Sequence, residues 1–229
     1  MKRTFAFGTL LTLLVLAGAP AADASHSWGS YHWARTTNPF TLKLGDNVTS
    51  AWDPYLATTS ADWSKSSVLD TTIVPGNTTG RKCRPTAGRI EVCNAKYGKN
   101  GWLGVAQIWI KGSHITKATT RVNDTYFNTA KYNTPVWRNH VLCQEVGHDF
   151  GLDHQDESGA DLGTCMDYST NPINSQHPNQ HDYDQLALIY SHTDSTSTVE
   201  SQQAGNGSVS RHIRRTGDTT AVITFIYWA

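Results

Sequence analysis

Apolar and β-branched residues fall along the chain in short blocks separated by turn formers, a pattern that predicts a mixed α+β domain. Residues 40–44 alternate apolar and polar positions between Pro39 and Gly45 and predict a strand. Residues 48–66 carry aromatic and aliphatic side chains at mixed helical spacing, which predicts a helix. A β-branched run at 68–74, ended by Pro75, Gly76 and Asn77, predicts a second strand, and residues 89–93 a short third. Two longer strands are expected at 104–111 and 116–125. Thr134 then supplies an N-cap oxygen and Pro135 a first helical residue that needs no amide proton, so a helix should run from there to about Phe150. Gly151 stops it. Residues 155–180 are polar and loop-like, and 181–192 predict a further helix with Leu186, Leu188 and Ile189 for packing.

The ends of the chain read differently. Lys2 and Arg3, an apolar run over 5–16, and Ala22-Asp23-Ala24 predict a signal peptide over residues 1–24, so the mature chain begins at Ser25. That run is shorter than the ~20 residues needed to cross a bilayer, and no other stretch is long enough. The expectation is a secreted, extracellular protein with no membrane contact once the signal is removed. Residues 194–207 are rich in Ser, Thr and Gly and predict a flexible linker, while the tail over 208–229 contains a β-prone segment expected to dock back as a strand. Residues 25–193 then form one domain, long enough for a hydrophobic core of its own.

Lys and Arg number 19 and Asp and Glu also 19, with no basic stripe along any segment, which argues against nucleic acid or an anionic lipid surface as partner. A monomer is expected. All four cysteines, Cys83, Cys93, Cys143 and Cys165, lie beyond the signal, where export allows them to pair. Of the three possible pairings, Cys83 with Cys93 and Cys143 with Cys165 is favoured, the first closing a short loop around Pro85 and Gly88. A zinc site built from all four is the competing reading, but the short C-x-x-C spacing of such sites is missing. Asn47, Asn77, Asn123 and Asn206 each open a glycosylation pattern.

The chemistry concentrates in residues 144–154, Gln-Glu-Val-Gly-His-Asp-Phe-Gly-Leu-Asp-His. On a helix Gln144 and His148 share a face and Glu145 flanks it, while Gly151 lets the chain leave the helix and bring His154 back to the same place. Two imidazoles and a third ligand around zinc leave one position for water, and a nearby carboxylate can take that water's proton. This stretch resembles the long zinc signature of the metzincin metallopeptidases, HExxHxxGxxH, at Glu145, His148, Gly151 and His154, and departs from it at Gln144. Residues 164–168, Thr-Cys-Met-Asp-Tyr, are similar to the Met-turn of that family, with Met166 as its methionine.

The resemblance implies an α+β catalytic domain with a mixed, mostly parallel sheet, a zinc helix and a loop-rich C-terminal subdomain containing the Met-turn. It implies one catalytic zinc ion held by His148 and His154, with Gln144 at the third position, Glu145 as general base, and Tyr168 helping to hold the reaction intermediate. The implied activity is hydrolysis of peptide or protein substrates lying extended against an edge strand, for which 104–111 is the candidate. A bridge from Cys143 to Cys165 would staple the zinc helix to the Met-turn. Gln144 leaves two outcomes open, because its amide oxygen is neutral and a poorer zinc donor than imidazole. Either it coordinates, directly or through water, or the metal has been lost and the fold binds peptides or a protein partner without cutting them.

Other candidates receive plainer readings. His140 lies two turns before His148, a rise of about 11 Å, and is expected to be a capping or surface residue. His114, His177 and His181 are expected at the surface, and Asp153, Asp156, Glu157 and Asp161 as solvated loop carboxylates. Trp102 and Trp109 are expected in the core or cleft wall; a carbohydrate-binding module would rest on the tryptophans alone.

Overall fold

A computed structural model of the chain describes residues 25–201 and 220–229. The predicted signal peptide, residues 202–207 of the predicted linker with Asn206 among them, and the tail before Thr220 lie outside the described residues. The elements in order are β1 (His32–Trp33), β2 (Phe40–Asn47), α1 (Asp53–Trp63), β3 (Leu69–Pro75), β4 (Arg89–Ala95), β5 (Trp102–Lys111), β6 (His114–Asn123), α2 (Asp124–Phe127), α3 (Pro135–Asp149), α4 (Gln180–Ile189) and β7 (Thr220–Trp228).

The protein is α+β, and its strands form one sheet in the order β3-β2-β4-β6-β5-β7, with β1 paired to the start of β6. The β2–β3, β2–β4, β4–β6 and β1–β6 pairings are parallel, while β5 runs antiparallel to both β6 and β7. Within the parallel part β4 is covered on both faces, with Arg89 to Asn94 all buried and Ile90 and Val92 fully so. Pro54 opens α1, and α1 and α3 pack against each other and against the sheet, burying Leu56, Trp63, Val141, Leu142 and Val146. Each such aliphatic side chain contributes about 1.5–3 kcal/mol on leaving water. The buried indole of Trp63 satisfies its N–H on the Cys143 carbonyl at 3.1 Å.

Between α3 and residue 201 the only long regular element is α4, which starts in a capping box formed by Asn179 and Asp182. The long loop before it is tied down by a disulfide from Cys143 in α3 to Cys165, and a second disulfide joins Cys83 to Cys93. No helix among the described residues is long and apolar enough to cross a membrane.

Two expectations change. Residues 194–201 are not loose: the Thr198 amide donates to Ala34, the Glu200 amide donates to Gly88, and the Glu200 carboxylate accepts from Arg89 at 2.6 and 2.8 Å. Composition rich in Ser and Thr says nothing about such distant partners. Among the glycosylation patterns, Asn47 and Asn123 spend their amides inside the fold, on Glu91 at 2.6 Å and on Gly98 at 3.0 Å, whereas Asn77 is exposed.

Candidate metal centre

The site is built on α3, whose first turn is fixed as its sequence suggests: the Thr134 side chain accepts from the Trp137 amide and Pro135 stands in the first turn. The helix ends where the Phe150 and Gly151 amides turn back onto Gly147 and His148 carbonyls. Gly151, at a φ of 99°, reverses the chain, and a side chain there would meet the Tyr31 carbonyl at 2.3 Å. Residues 152–154 therefore run back beside the helix end.

This reversal brings His148 and His154 together, with their Nε2 atoms 3.1 Å apart. The tautomers follow from the opposite nitrogens. His148 Nδ1 lies 2.9 Å from the Leu152 carbonyl, which can only accept, so Nδ1 carries the proton. His154 Nδ1 lies 3.0 Å from the Glu157 carboxylate and is a donor for the same reason. In the neutral rings both Nε2 atoms then carry lone pairs, and these face each other. Two imidazole nitrogens bound to one zinc at about 2.0–2.1 Å stand about 3.3 Å apart, so the pair fits a divalent cation. Burial, and then repulsion from His154, hold His148 well below the ordinary imidazole range, which keeps it neutral for coordination.

Gln144 is fully buried on the same face of α3. Its amide nitrogen donates to the carbonyls of Cys165 and Asp167, both at 2.8 Å, and so ties the helix to the loop around Met166. Its amide oxygen is buried and without a partner, the one donor atom of this side chain left for a metal or a bridging water. Met166 is itself fully buried in the core, and its carbonyl accepts from Gln155.

Glu145 is also fully buried, and neither carboxylate oxygen completes a hydrogen bond. It lies against β5, where a side chain on Gly104 would meet Glu145 Oε1 at 2.4 Å, and near the backbone of Ala106 and Tyr227. Desolvation, reinforced by the neighbouring Asp149 carboxylate, pushes its acid well above the ordinary range. Asp149 is likewise pushed up by burial, although the Thr120 hydroxyl donates to it at 2.7 Å.

The cover over these groups is β7. Phe225 stacks on His148 with ring centroids 4.0 Å apart and planes 16° from parallel, and also contacts His154. Tyr227 stacks on Tyr168 at 4.6 Å, and the Trp228 amide donates to the Tyr168 hydroxyl at 2.8 Å. The edge of β5 proposed from sequence for an extended substrate is thus paired along Trp102–Lys111 with the chain's own tail. Tyr168 stands 5.3 Å from the His154 ring, and burial raises its phenol above the ordinary value.

His140 is not a surface residue: it is fully buried, donates from Nδ1 to the Ser175 carbonyl, and has Nε2 3.2 Å from the Tyr227 hydroxyl. Burial lowers its imidazole to about 4. His177 does sit at the surface, paired with Asp62 at 2.6 Å. Sequence reasoning did not single out Phe225 and Tyr227, whose alternation places both on one face of a β-prone segment, nor Glu157 as the residue orienting His154.

No protein-family profile matches the chain, and no curated protein matches it. Two solved structures of myroilysin superpose on it with TM-scores of 0.42 and 0.39 at 14% identity, covering 73% and 79% of this chain and 98% and 100% of theirs. High choriolytic enzyme 1, a hatching enzyme zinc-protease from the medaka fish Oryzias latipes, superposes with a TM-score of 0.41 at 9% identity, covering 71% of this chain and 95% of its own. At this level of likeness the weight of any functional reading falls on the side chains of the site.

Proposed function

We propose that this chain is a secreted, metal-dependent endopeptidase that hydrolyses internal bonds of peptide or protein substrates, held closed by its own C-terminal strand. The observation that carries the reading is the convergence of the His148 and His154 Nε2 atoms, 3.1 Å apart, with each Nδ1 held by an acceptor on the far side of its ring. Lone pairs so placed repel unless a proton or a metal cation lies between them. His148 and His154 would hold a zinc ion with the Gln144 amide oxygen as the third donor, directly or through water. Such an ion, when bound, supplies Lewis acidity toward a carbonyl oxygen and toward water.

The remaining work belongs to the chain. Glu145 takes a proton from the attacking water and delivers it to the departing amide nitrogen, which requires the carboxylate to be ionised first. Tyr168 donates a hydrogen bond to the carbonyl oxygen as charge develops there. The free edge of β5 pairs with an extended substrate once β7 has withdrawn. While β7 is in place Glu145 is fully buried, and burial favours the protonated form of its carboxyl, which cannot act as a base. The closed form is therefore blocked both sterically and chemically. Two disulfides suit the oxidising surroundings of an exported protein.

Cleavage of an unfolded protein by the chain from Ser25, with zinc, with chelator, and with Glu145→Ala as control, tests the reading. A chain that binds peptides without cutting them is the outcome that replaces it. The use of the Gln144 amide nitrogen as a strut for the Met166 loop favours that alternative.

A further inference from the structure

Away from His148 and His154, a second set of donor atoms converges where β1, the start of β6 and the chain after α4 meet. His32 and His114 are register partners in the β1–β6 pairing, and their rings emerge side by side with centroids 5.0 Å apart. The chain leaving α4 brings His192 to the same place, 4.7 Å from the His32 ring, and Asp194 follows. These residues are scattered over 160 positions between His32 and His192, so no sequence spacing announces them.

The lone pairs are oriented by neighbours. His32 Nδ1 donates to the Ser30 carbonyl at 2.8 Å, so in the neutral ring Nε2 carries the lone pair. That atom faces His192 Nε2 at 3.3 Å and Asp194 Oδ1 at 3.5 Å, and the third side of the triangle, His192 Nε2 to Asp194 Oδ1, is 3.8 Å. The carboxylate is held in this attitude through its other oxygen. Oδ2 accepts from the Arg35 guanidinium at 2.8 Å and from the Arg35 amide at 3.2 Å, turning Oδ1 toward the imidazoles. His114 Nε2 reaches Oδ1 as well, at 3.2 Å.

Zinc bonds to imidazole nitrogen and carboxylate oxygen of about 2.0–2.2 Å place tetrahedral ligand atoms about 3.3–3.5 Å apart. Two sides of the observed triangle have that length and the third is slightly longer. The Arg35 and Ser30 contacts are the outer partners that fix ligand orientation in metal sites. We infer that His32, His192 and Asp194 form a second zinc site, sharing no residue with the His148 and His154 centre, which clamps the chain after α4 to β1. His114, bonded to the same carboxylate oxygen, steadies it.

The test compares the chain from Ser25 with His192→Ala, a change at a side chain 49% exposed that is expected to fold. Each is equilibrated with zinc, desalted, and assayed for metal by atomic emission. The unaltered chain should retain one more equivalent than His192→Ala. A His148→Ala/His154→Ala variant should keep an equivalent that adding His192→Ala removes, and cobalt(II) should give it the visible absorption of a four-coordinate ion only while His192 is present. Equal zinc in the unaltered chain and His192→Ala, both folded by circular dichroism, overturns the site. Because neither readout uses cleavage, failure here leaves the peptidase reading standing, and absence of cleavage leaves this site standing.

Discussion

Phe225 lies flat on the imidazole of His148, with centroids 4.0 Å apart and planes 16° from parallel, on the side of β5 where an extended substrate would pair. An aromatic contact of this kind contributes about 0.5–1.5 kcal/mol beyond its area, and the β5–β7 backbone pairing adds to it. Phe225→Ser should loosen the strand and raise the rate of cleavage several-fold, and ending the chain at residue 219 should raise it further. Initial rates on an unfolded protein substrate check both; unchanged or lower rates in folded variants would mean that β7 does not block the site.

Gln144 carries structural and chemical duties at once. Gln144→His removes an amide that makes two hydrogen bonds to the Cys165 and Asp167 carbonyls, and one imidazole N–H cannot replace both. The metal-free variant should be less stable by about 1–3 kcal/mol. Added zinc should recover part of the loss, because imidazole is the better zinc donor. Urea unfolding with and without zinc reads both effects.

Gly104 gives Glu145 the room it occupies. In Gly104→Ala the new methyl would stand 2.4 Å from Glu145 Oε1 and 2.7 Å from Val141 Cγ1, so the carboxylate must move. Cleavage is expected to fall at least about tenfold for a misplaced base, with a stability loss of about 1–3 kcal/mol from overpacking. A rate that falls while the substrate KM holds would place the effect on the base.

Stability should respond to acid through His140. Burial lowers its imidazole from an ordinary 6.5 to about 4, so between those values the unfolded chain binds a proton that the folded chain does not. Stability from this group is present above pH 6.5 and falls as the pH drops toward 4, by about 3 kcal/mol at most. Asp167, which burial raises to about 6 from 3.8, acts in the opposite sense: its contribution is present below pH 3.8 and lost as the pH rises through 6. The comparison of the native chain with His140→Gln cancels Asp167. Urea unfolding at pH 7 and pH 4.5 should show a steeper loss in the native chain.

What could be read in advance was what local chemistry dictates. Thr134 and Pro135 fix the start of α3 through an N-cap and a ring-locked backbone, and Gly151 ends it through a positive φ, so α3 was legible to within a residue. The pairing of Cys143 with Cys165 also appeared among the options. Partners brought in from afar were not legible. His140 is buried because Ser175 and Tyr227 close over it, and residues 194–201 are ordered by Arg89 and Ala34, none of which a local window contains. The β-prone tail was visible as such, but only the sheet's free edge decides that it lies over Glu145 and His148.

The central claim is metal-dependent hydrolysis with Glu145 as base. The most direct measurement is cleavage of an unfolded protein by the chain from Ser25 and by the same chain ending at residue 219, each with zinc and with chelator, beside Glu145→Ala. The expected result is chelator-sensitive cleavage, faster in the shortened chain, and reduced about 100- to 10,000-fold by Glu145→Ala. Absence of cleavage by both folded forms with zinc, or cleavage that survives chelator and Glu145→Ala alike, would contradict it.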